Sequence, residues 1–146
     1  MEENSSSILV VDDNPEIREI IQVLLGGEGY LVETAGNGVK ALEMLENREY
    51  DLIILDIMMP GMDGFAVLEQ MNRKKWIEDT PVIMISSENS AAYIRKAYDM
   101  GVSDFINRPF DVNVVIRRVD NTIKLYAKQR RLTTILTEQI RAKENS

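Results

Sequence analysis

Three runs of four consecutive apolar residues constrain this chain more than any other feature: Ile8-Leu9-Val10-Val11, Leu52-Ile53-Ile54-Leu55 and Val82-Ile83-Met84-Ile85. Alternating apolar and polar residues mark a strand with one wet face. An unbroken run marks a strand covered on both faces, as in a parallel sheet between two helical layers. The full set of predicted strands is Ser7–Val11, Tyr30–Thr34, Leu52–Leu55, Val82–Ile85 and Ser103–Ile106. The second, Tyr30-Leu31-Val32-Glu33-Thr34, is more polar and is expected nearer an edge. Between the runs lie helical patterns. Ile17, Ile20, Ile21, Leu24 and Leu25 share one helix face, Asn14-Pro15 supplies an N-cap and a first-turn proline, and Gly26-Gly27 is expected to end that helix. Weaker helical patterns cover 37–48, 63–74 and 89–100. Five strand–helix alternations in 146 residues predict one α/β domain with a doubly wound, five-stranded parallel sheet.

The last segment departs from this rhythm. From Asp111 onward there is no Pro or Gly, and helix formers run through Lys143. A helix over Val112–Lys143 would be about 48 Å long, more than a small sheet can cover. Val112, Val115, Ile116, Val119 and Ile123 form one stripe; Leu132, Ile135, Leu136 and Ile140 form a second, with Arg130-Arg131 between them. Two readings stand: a solvated helical tail, or a linker or dimerising helix over 129–146. Charge divides at the same place. Residues 1–111 carry 9 basic and 21 acidic side chains, a net of −12, whereas residues 112–146 carry 8 and 3, a net of +5.

Composition then removes whole classes of chemistry. With no Cys there is neither a disulfide framework nor a thiolate nucleophile; with no His there is no Ser-His-Asp triad, no HExxH helix and no ordinary zinc site. The net charge of −7 argues against direct nucleic-acid binding. Met1–Ser7 has neither a basic n-region nor an apolar h-region, residues 1–6 are expected to be disordered, and no apolar run approaches a membrane span. A cytoplasmic setting without membrane contact is the expectation.

Ligands of open parallel sheets bind beyond the carboxyl ends of the strands, at the topological switch point. Those ends carry Asp12-Asp13, Asp56, Ser86 and Arg108. Clustered carboxylates repel until a proton or a cation relieves them, and an all-oxygen cluster suits Mg²⁺. A magnesium-screened Asp is a competent nucleophile toward an anionic phosphoryl donor, with a Ser hydroxyl and an Arg to meet the phosphoryl oxygens.

The motifs that carry these residues resemble those of response regulator receiver domains in two-component signalling. They are Val10-Val11-Asp12-Asp13-Asn14, the stretch Leu55-Asp56-Ile57-Met58-Met59-Pro60-Gly61-Met62-Asp63-Gly64, then Pro81-Val82-Ile83-Met84-Ile85-Ser86, and Arg108-Pro109-Phe110. The resemblance runs from about Ile8 to about Lys128. It implies a receiver domain over 7–128 with a flavodoxin-like (βα)5 fold and strand order 2-1-3-4-5. It implies Asp56 as phosphoacceptor, and Asp12, Asp13, Asp56 and the Met58 main-chain carbonyl as Mg²⁺ ligands. Ser86 matches the switch hydroxyl, Phe105 the switch aromatic, and Arg108-Pro109 a cis peptide. The donor would be a phosphohistidine on a sensor histidine kinase or a histidine phosphotransfer protein, so the chain would be a phosphoacceptor rather than an enzyme. The signalling face implied is Ile94, Arg95, Tyr98, Phe105 and the fifth helix, leading to a C-terminal output domain beyond this sequence, with a homodimer through the fifth helix as a further expectation.

One departure is chemical. Arg108 stands where the family carries lysine, and a planar guanidinium cannot place its charge where a compact ammonium does. That keeps a second reading open: a protein-binding module on the same fold that works without phosphorylation. Other signals have plainer readings. Asp63 is expected to cap the third helix, Gly26-Gly27-Glu28-Gly29 follows a helix rather than a strand and so reads as a turn, and Trp76 reads as a packing anchor in a charged loop.

Overall fold

The computed structural model describes residues 6–88 and 90–145. Apart from Ser6, the N-terminal tract expected to be disordered lies outside them. The strands are β1 (Ser7–Val11), β2 (Leu31–Ala35), β3 (Leu52–Asp56), β4 (Val82–Ser86) and β5 (Asp104–Asn107). The helices are α1 (Pro15–Gly27), α2 (Gly38–Asn47), α3 (Gly64–Arg73), α4 (Ala91–Asp99) and α5 (Val112–Glu144), with a 3-10 turn at Trp76–Glu78.

All four strand pairings are parallel, and the sheet order is β2-β1-β3-β4-β5. This is the flavodoxin-like arrangement expected. The central strand is β3, every residue of which is buried, while β2 is an edge strand with Leu31 exposed, in keeping with its polar sequence.

The unbroken apolar runs divide by parity between two cores. Leu9, Val11, Ile53, Leu55, Val82 and Met84 face one side and meet Ala41, Leu45, Leu68, Met71 and Ala97 of α2, α3 and α4. Ile8, Val10, Leu52, Ile54, Ile83 and Ile85 face the other, against Ile21 and Leu25 of α1 and Val115 and Val119 of α5. Each fully buried Leu or Ile contributes roughly 1.5–3 kcal/mol relative to exposure. A strand buried on both faces therefore anchors both helical layers at once.

The helix ends follow the sequence signals. Asn14 accepts from the N–H groups of Glu16 and Ile17, and Asp63 accepts from Ala66 N–H at 2.9 Å, the cap expected of it. The first helix ends at Gly27, as the Gly26-Gly27 pair predicts, and Gly29, at φ 99°, then turns the chain toward β2. Glycine tolerates a helix end; a positive φ requires it far more strictly.

The fifth helix is continuous over 33 residues, about 50 Å. Only its first half meets the sheet. Tyr126 shares a hydrogen bond with Ser103 at 3.2 Å, and beyond Tyr126 and Ala127 every described side chain of the helix is exposed, Leu132, Ile135, Leu136 and Ile140 among them. No helix among the described residues is long and apolar enough to cross a membrane.

Candidate functional site

The chain leaves β1 toward β2 on one side and leaves β3 toward β4 on the other, so a crevice opens between the carboxyl ends of β1 and β3. Asp12 follows directly on β1, and Asp56 is the last residue of β3. Carboxylate oxygens of Asp12, Asp13 and Asp56 all lie within 4.8 Å of one another. Asp12 and Asp56 are each only 3% exposed, whereas Asp13 is exposed at the rim.

This proximity has an electrostatic consequence. Burial first, and then the Asp12 charge, push the Asp56 carboxyl from 3.8 up to about 6; Arg108 and the Met58 N–H, 3.4 Å from Oδ1, pull the other way. Asp56 is thus ionised at neutral pH but under strain from its neighbours. A divalent cation would relieve that strain, and the donors on offer are hard carboxylate oxygens of the kind Mg²⁺ prefers. The residues present fit that ion.

Each acid is held differently. The Asp12 N–H donates to Ala35 C=O at 3.1 Å, and its carboxylate accepts from Asn14 N–H at 2.9 Å and pairs with Arg108. Its carbonyl accepts from Arg18 Nη1 at 2.7 Å. The Asp13 carboxylate forms no hydrogen bond or ion pair among the described residues.

Arg108 stands across the crevice at the end of β5. Its guanidinium is ion-paired to Asp12 and lies 3.9 Å from Asp56 Oδ1, and its buried Nε has no hydrogen-bond partner among the described residues. Its main-chain N–H donates to Ser86 C=O at 3.0 Å, which ties the β5 end to the β4 end. Ser86 is fully buried on the strand next to β3, and its hydroxyl accepts from Glu88 N–H at 3.1 Å. The Arg108-Pro109 peptide is cis.

Phe105, paired with Met84 in the sheet register, is buried in the core shared by α2, α3 and α4. On the outer surface beside it, Asp104 accepts from Arg118 of α5 at 3.1 Å and from the Tyr98 hydroxyl of α4 at 3.4 Å. Burial and Asp104 together raise the Tyr98 phenol above its ordinary value, so it remains a donor. Trp76 is half-buried, with Lys74 Nζ 5.6 Å from its ring centre, a packing role rather than a site contact.

Sequence reasoning did not find Arg18. The signal was there: an arginine on the helix that follows Asp12-Asp13, near the core stripe rather than on the solvent side. A doubly wound sheet with three acids at its switch point and a cation opposite defines a small class of proteins, and the comparisons agree with it.

The family model for the response regulator receiver domain matches residues 8–120. The transcriptional regulatory protein ResD of Bacillus subtilis (strain 168) is 39% identical over 116 residues, covering 80% of this chain and 47% of that protein. The DNA-binding transcriptional regulator NtrC of Escherichia coli (strain K12) is 34% identical over 122 residues, covering 84% of this chain and 26% of NtrC. This chain therefore spans about half or less of the curated relatives it matches. Among solved structures, NtrX from Brucella abortus superposes with a TM-score of 0.82 at 31% identity, over 90% of this chain and 30% of NtrX. The receiver domain of the Francisella response regulator 1452 gives 0.77 at 29% identity, over 82% of this chain and 98% of that one. The chain belongs to the response regulator receiver domain family.

Proposed function

We propose that this domain is a phosphoacceptor acting in the cytoplasm, taking a phosphoryl group onto Asp56 from a phosphohistidine on a sensor histidine kinase or a histidine phosphotransfer protein. The observation that carries this reading is the convergence of Asp12, Asp13 and Asp56 within 4.8 Å, with Asp56 both buried and raised to about 6. Asp12, Asp13, Asp56 and the Met58 main-chain carbonyl would hold Mg²⁺. When bound, the ion supplies the positive charge that lets an anionic donor approach an anionic nucleophile.

Asp56 carries out the covalent step. One carboxylate oxygen forms a bond to phosphorus as the phosphorus–nitrogen bond of the donor histidine breaks, and the imidazole keeps the electron pair. The group is mostly ionised above pH 6, so no general base is needed. Ser86 and Arg108 lie at the neighbouring strand ends, where their hydroxyl and guanidinium can meet phosphoryl oxygens. Phe105, buried beside Met84 and next in sequence to Asp104, would couple this site to the α4–β5–α5 surface, where the Tyr98–Asp104–Arg118 contacts give a phosphorylation signal something to rearrange. The partial coverage of longer regulators supports an output domain joined beyond α5, and the exposed apolar stripe of α5 supports pairing of two copies there.

A second reading keeps the fold and drops the chemistry. In it, the Arg108–Asp12 ion pair serves as a permanent counter-charge, and the domain binds its partner without phosphorylation. Incubation with Mg²⁺ and a small phosphodonor, followed by intact-mass measurement, separates the two. A single phosphoryl adduct on wild type and none on Asp56→Asn is expected. An unmodified wild type, under conditions that modify Arg108→Lys, would establish the second reading. Deletion of residues 129–146 should take the mass seen by light scattering from that of two copies to that of one; a mass that falls only by the deleted residues would refute pairing through α5.

A further inference from the structure

Asp13 poses a positioning problem. Asp12 is tied at its N–H, its carbonyl and its carboxylate, and Asp56 is fixed by a fully buried strand. The Asp13 carboxylate is exposed and forms no hydrogen bond or ion pair among the described residues. Its place beside the other two acids therefore depends on the main chain that carries it, above all on the orientation of the Asp12–Asp13 peptide.

That peptide lies just past the end of the sheet. The last β1–β2 rung is the Asp12 N–H to Ala35 C=O bond at 3.1 Å. The next rung of a parallel ladder would bring the N–H of residue 37 to the Asp12 carbonyl. Asn37, however, has become the N-cap of α2, its side chain accepting from Lys40 N–H at 2.8 Å. The carbonyl takes its hydrogen bond from Arg18 Nη1 instead, at 2.7 Å. This bond reaches back from α1 to the loop that precedes it. Gly36 leaves room for the guanidinium: a Cβ there would stand 3.1 Å from Nη1 and 3.5 Å from Cζ of Arg18.

We propose that Arg18 is a positioning residue for the cation site, replacing the missing rung of the ladder and so fixing the peptide that presents Asp13. It touches neither the ion nor the phosphoryl group. The inference rests on the cation-site reading above, and it makes a prediction of distinctive sign. A guanidinium beside a cation site acts through space as a repelling charge, so on electrostatics alone its removal would tighten metal binding. As a positioning residue, its removal loosens metal binding. Loss of a group that orients a metal ligand typically weakens affinity 10–100-fold. An effect transmitted through a solvated Asp13 belongs at the low end, about tenfold.

The test is Mn²⁺ affinity by isothermal titration or water-proton relaxation on the full chain, with thermal melts in chelator as the control for folding. Arg18→Ala is expected to bind Mn²⁺ about tenfold more weakly, and Arg18→Lys, which keeps a donor for the carbonyl, to recover most of that loss. Gly36→Ala, which crowds the guanidinium without removing its charge, should weaken binding in the same direction. In an Asp13→Asn background, Arg18→Ala should cost nothing further, because the ligand it serves is gone. Unchanged or tighter binding in Arg18→Ala, or full additivity with Asp13→Asn, overturns the proposal. Phosphodonor labelling of wild type keeps the two readings apart: a wild type that neither binds Mn²⁺ nor accepts phosphate defeats the phosphoacceptor reading. A wild type that does both, with Arg18→Ala indistinguishable from it, defeats only this one.

Discussion

Gly64 opens α3 directly beside the carboxyl end of β3, and replacing it with alanine tests how tightly that helix is seated. A Cβ at residue 64 would lie 2.4 Å from the Asp56 carbonyl oxygen, 2.8 Å from Ile57 Cα and 3.0 Å from Met84 Cε. Ordinary contact begins near 3.4 Å, so the first turn of α3 must retreat from β3 by about 1 Å, and only the methionine end can move cheaply. The same turn is tied in place by the Gly64 N–H to Ile57 C=O bond at 2.8 Å, so retreat also stretches a hydrogen bond. Overpacking of this kind costs about 1–3 kcal/mol, and two of the three contacts being backbone puts the cost in the upper half. The entropy that alanine saves over glycine returns about 0.4–1 kcal/mol, leaving a net loss of about 2 kcal/mol. Urea denaturation should show the midpoint of Gly64→Ala falling by about 1 M with the slope unchanged. Gly26→Ala is the control. A Cβ at residue 26 meets nothing within 4 Å, so the entropy gain stands alone and the midpoint should rise slightly. Equal shifts for the two variants, or a Gly64→Ala protein within 0.5 kcal/mol of wild type, would refute the close seating of α3 on β3.

Asp56→Asn should stabilise the metal-free protein, in a pH-dependent way. The folded carboxyl binds its proton more tightly than the unfolded one, about 6 against 3.8, so its contribution to stability is complete below pH 4 and is lost as pH rises through 6. Relative to wild type in chelator, the variant should therefore gain roughly 2–3 kcal/mol above pH 6.5 and nothing at pH 3.5, measured by denaturation across that range; a gain independent of pH would contradict the strained carboxylate. Mg²⁺ at ten times its dissociation constant should raise the stability of wild type by about 1.4 kcal/mol and leave Asp13→Asn almost unmoved, as thermal melts with and without the ion will show. The Tyr30 hydroxyl, buried ahead of β2, donates to Asp120 of α5, so Tyr30→Phe should cost about 2 kcal/mol, and Asp120→Ala added to it should cost little more. Full additivity in that double-mutant cycle would mean the two groups do not support each other.

Strands are where the sequence was most legible, because a residue run that must be dry on both faces has few alternatives. Ser7–Val11 matches its strand residue for residue, and the other four differ from theirs by one residue at one or both ends. The polar second run did become an edge. Asp12, Asp13 and Asp56 could be placed together because topology, not side-chain detail, brings them there. What escaped the sequence depends on reach. Arg108 was read as a partner for phosphoryl oxygens, and the structure gives it to Asp12 in the unmodified protein. Arg18 was passed over although its place near the core stripe of α1 was visible; what no one-dimensional pattern shows is that the β1–β2 ladder breaks one rung early and leaves it the Asp12 carbonyl. Gly26-Gly27 does end α1, but that Gly29 is the one to take a positive φ and turn the chain is visible only in three dimensions.

The uncovered half of α5 has a mechanical meaning. From Tyr126, its last point of contact with Ser103, to Glu144 the helix extends about 27 Å as a stiff arm. A tilt of 10° at that pivot carries the far end through about 5 Å, close to one helical pitch. Arg118 lies eight residues along the helix on the other side of that pivot, about 12 Å away, so a shift there would be magnified about twofold at the tip. A movement of about 1 Å at the Arg118–Asp104 contact would thus reach the tip as about 2 Å, enough to loosen or tighten a contact there.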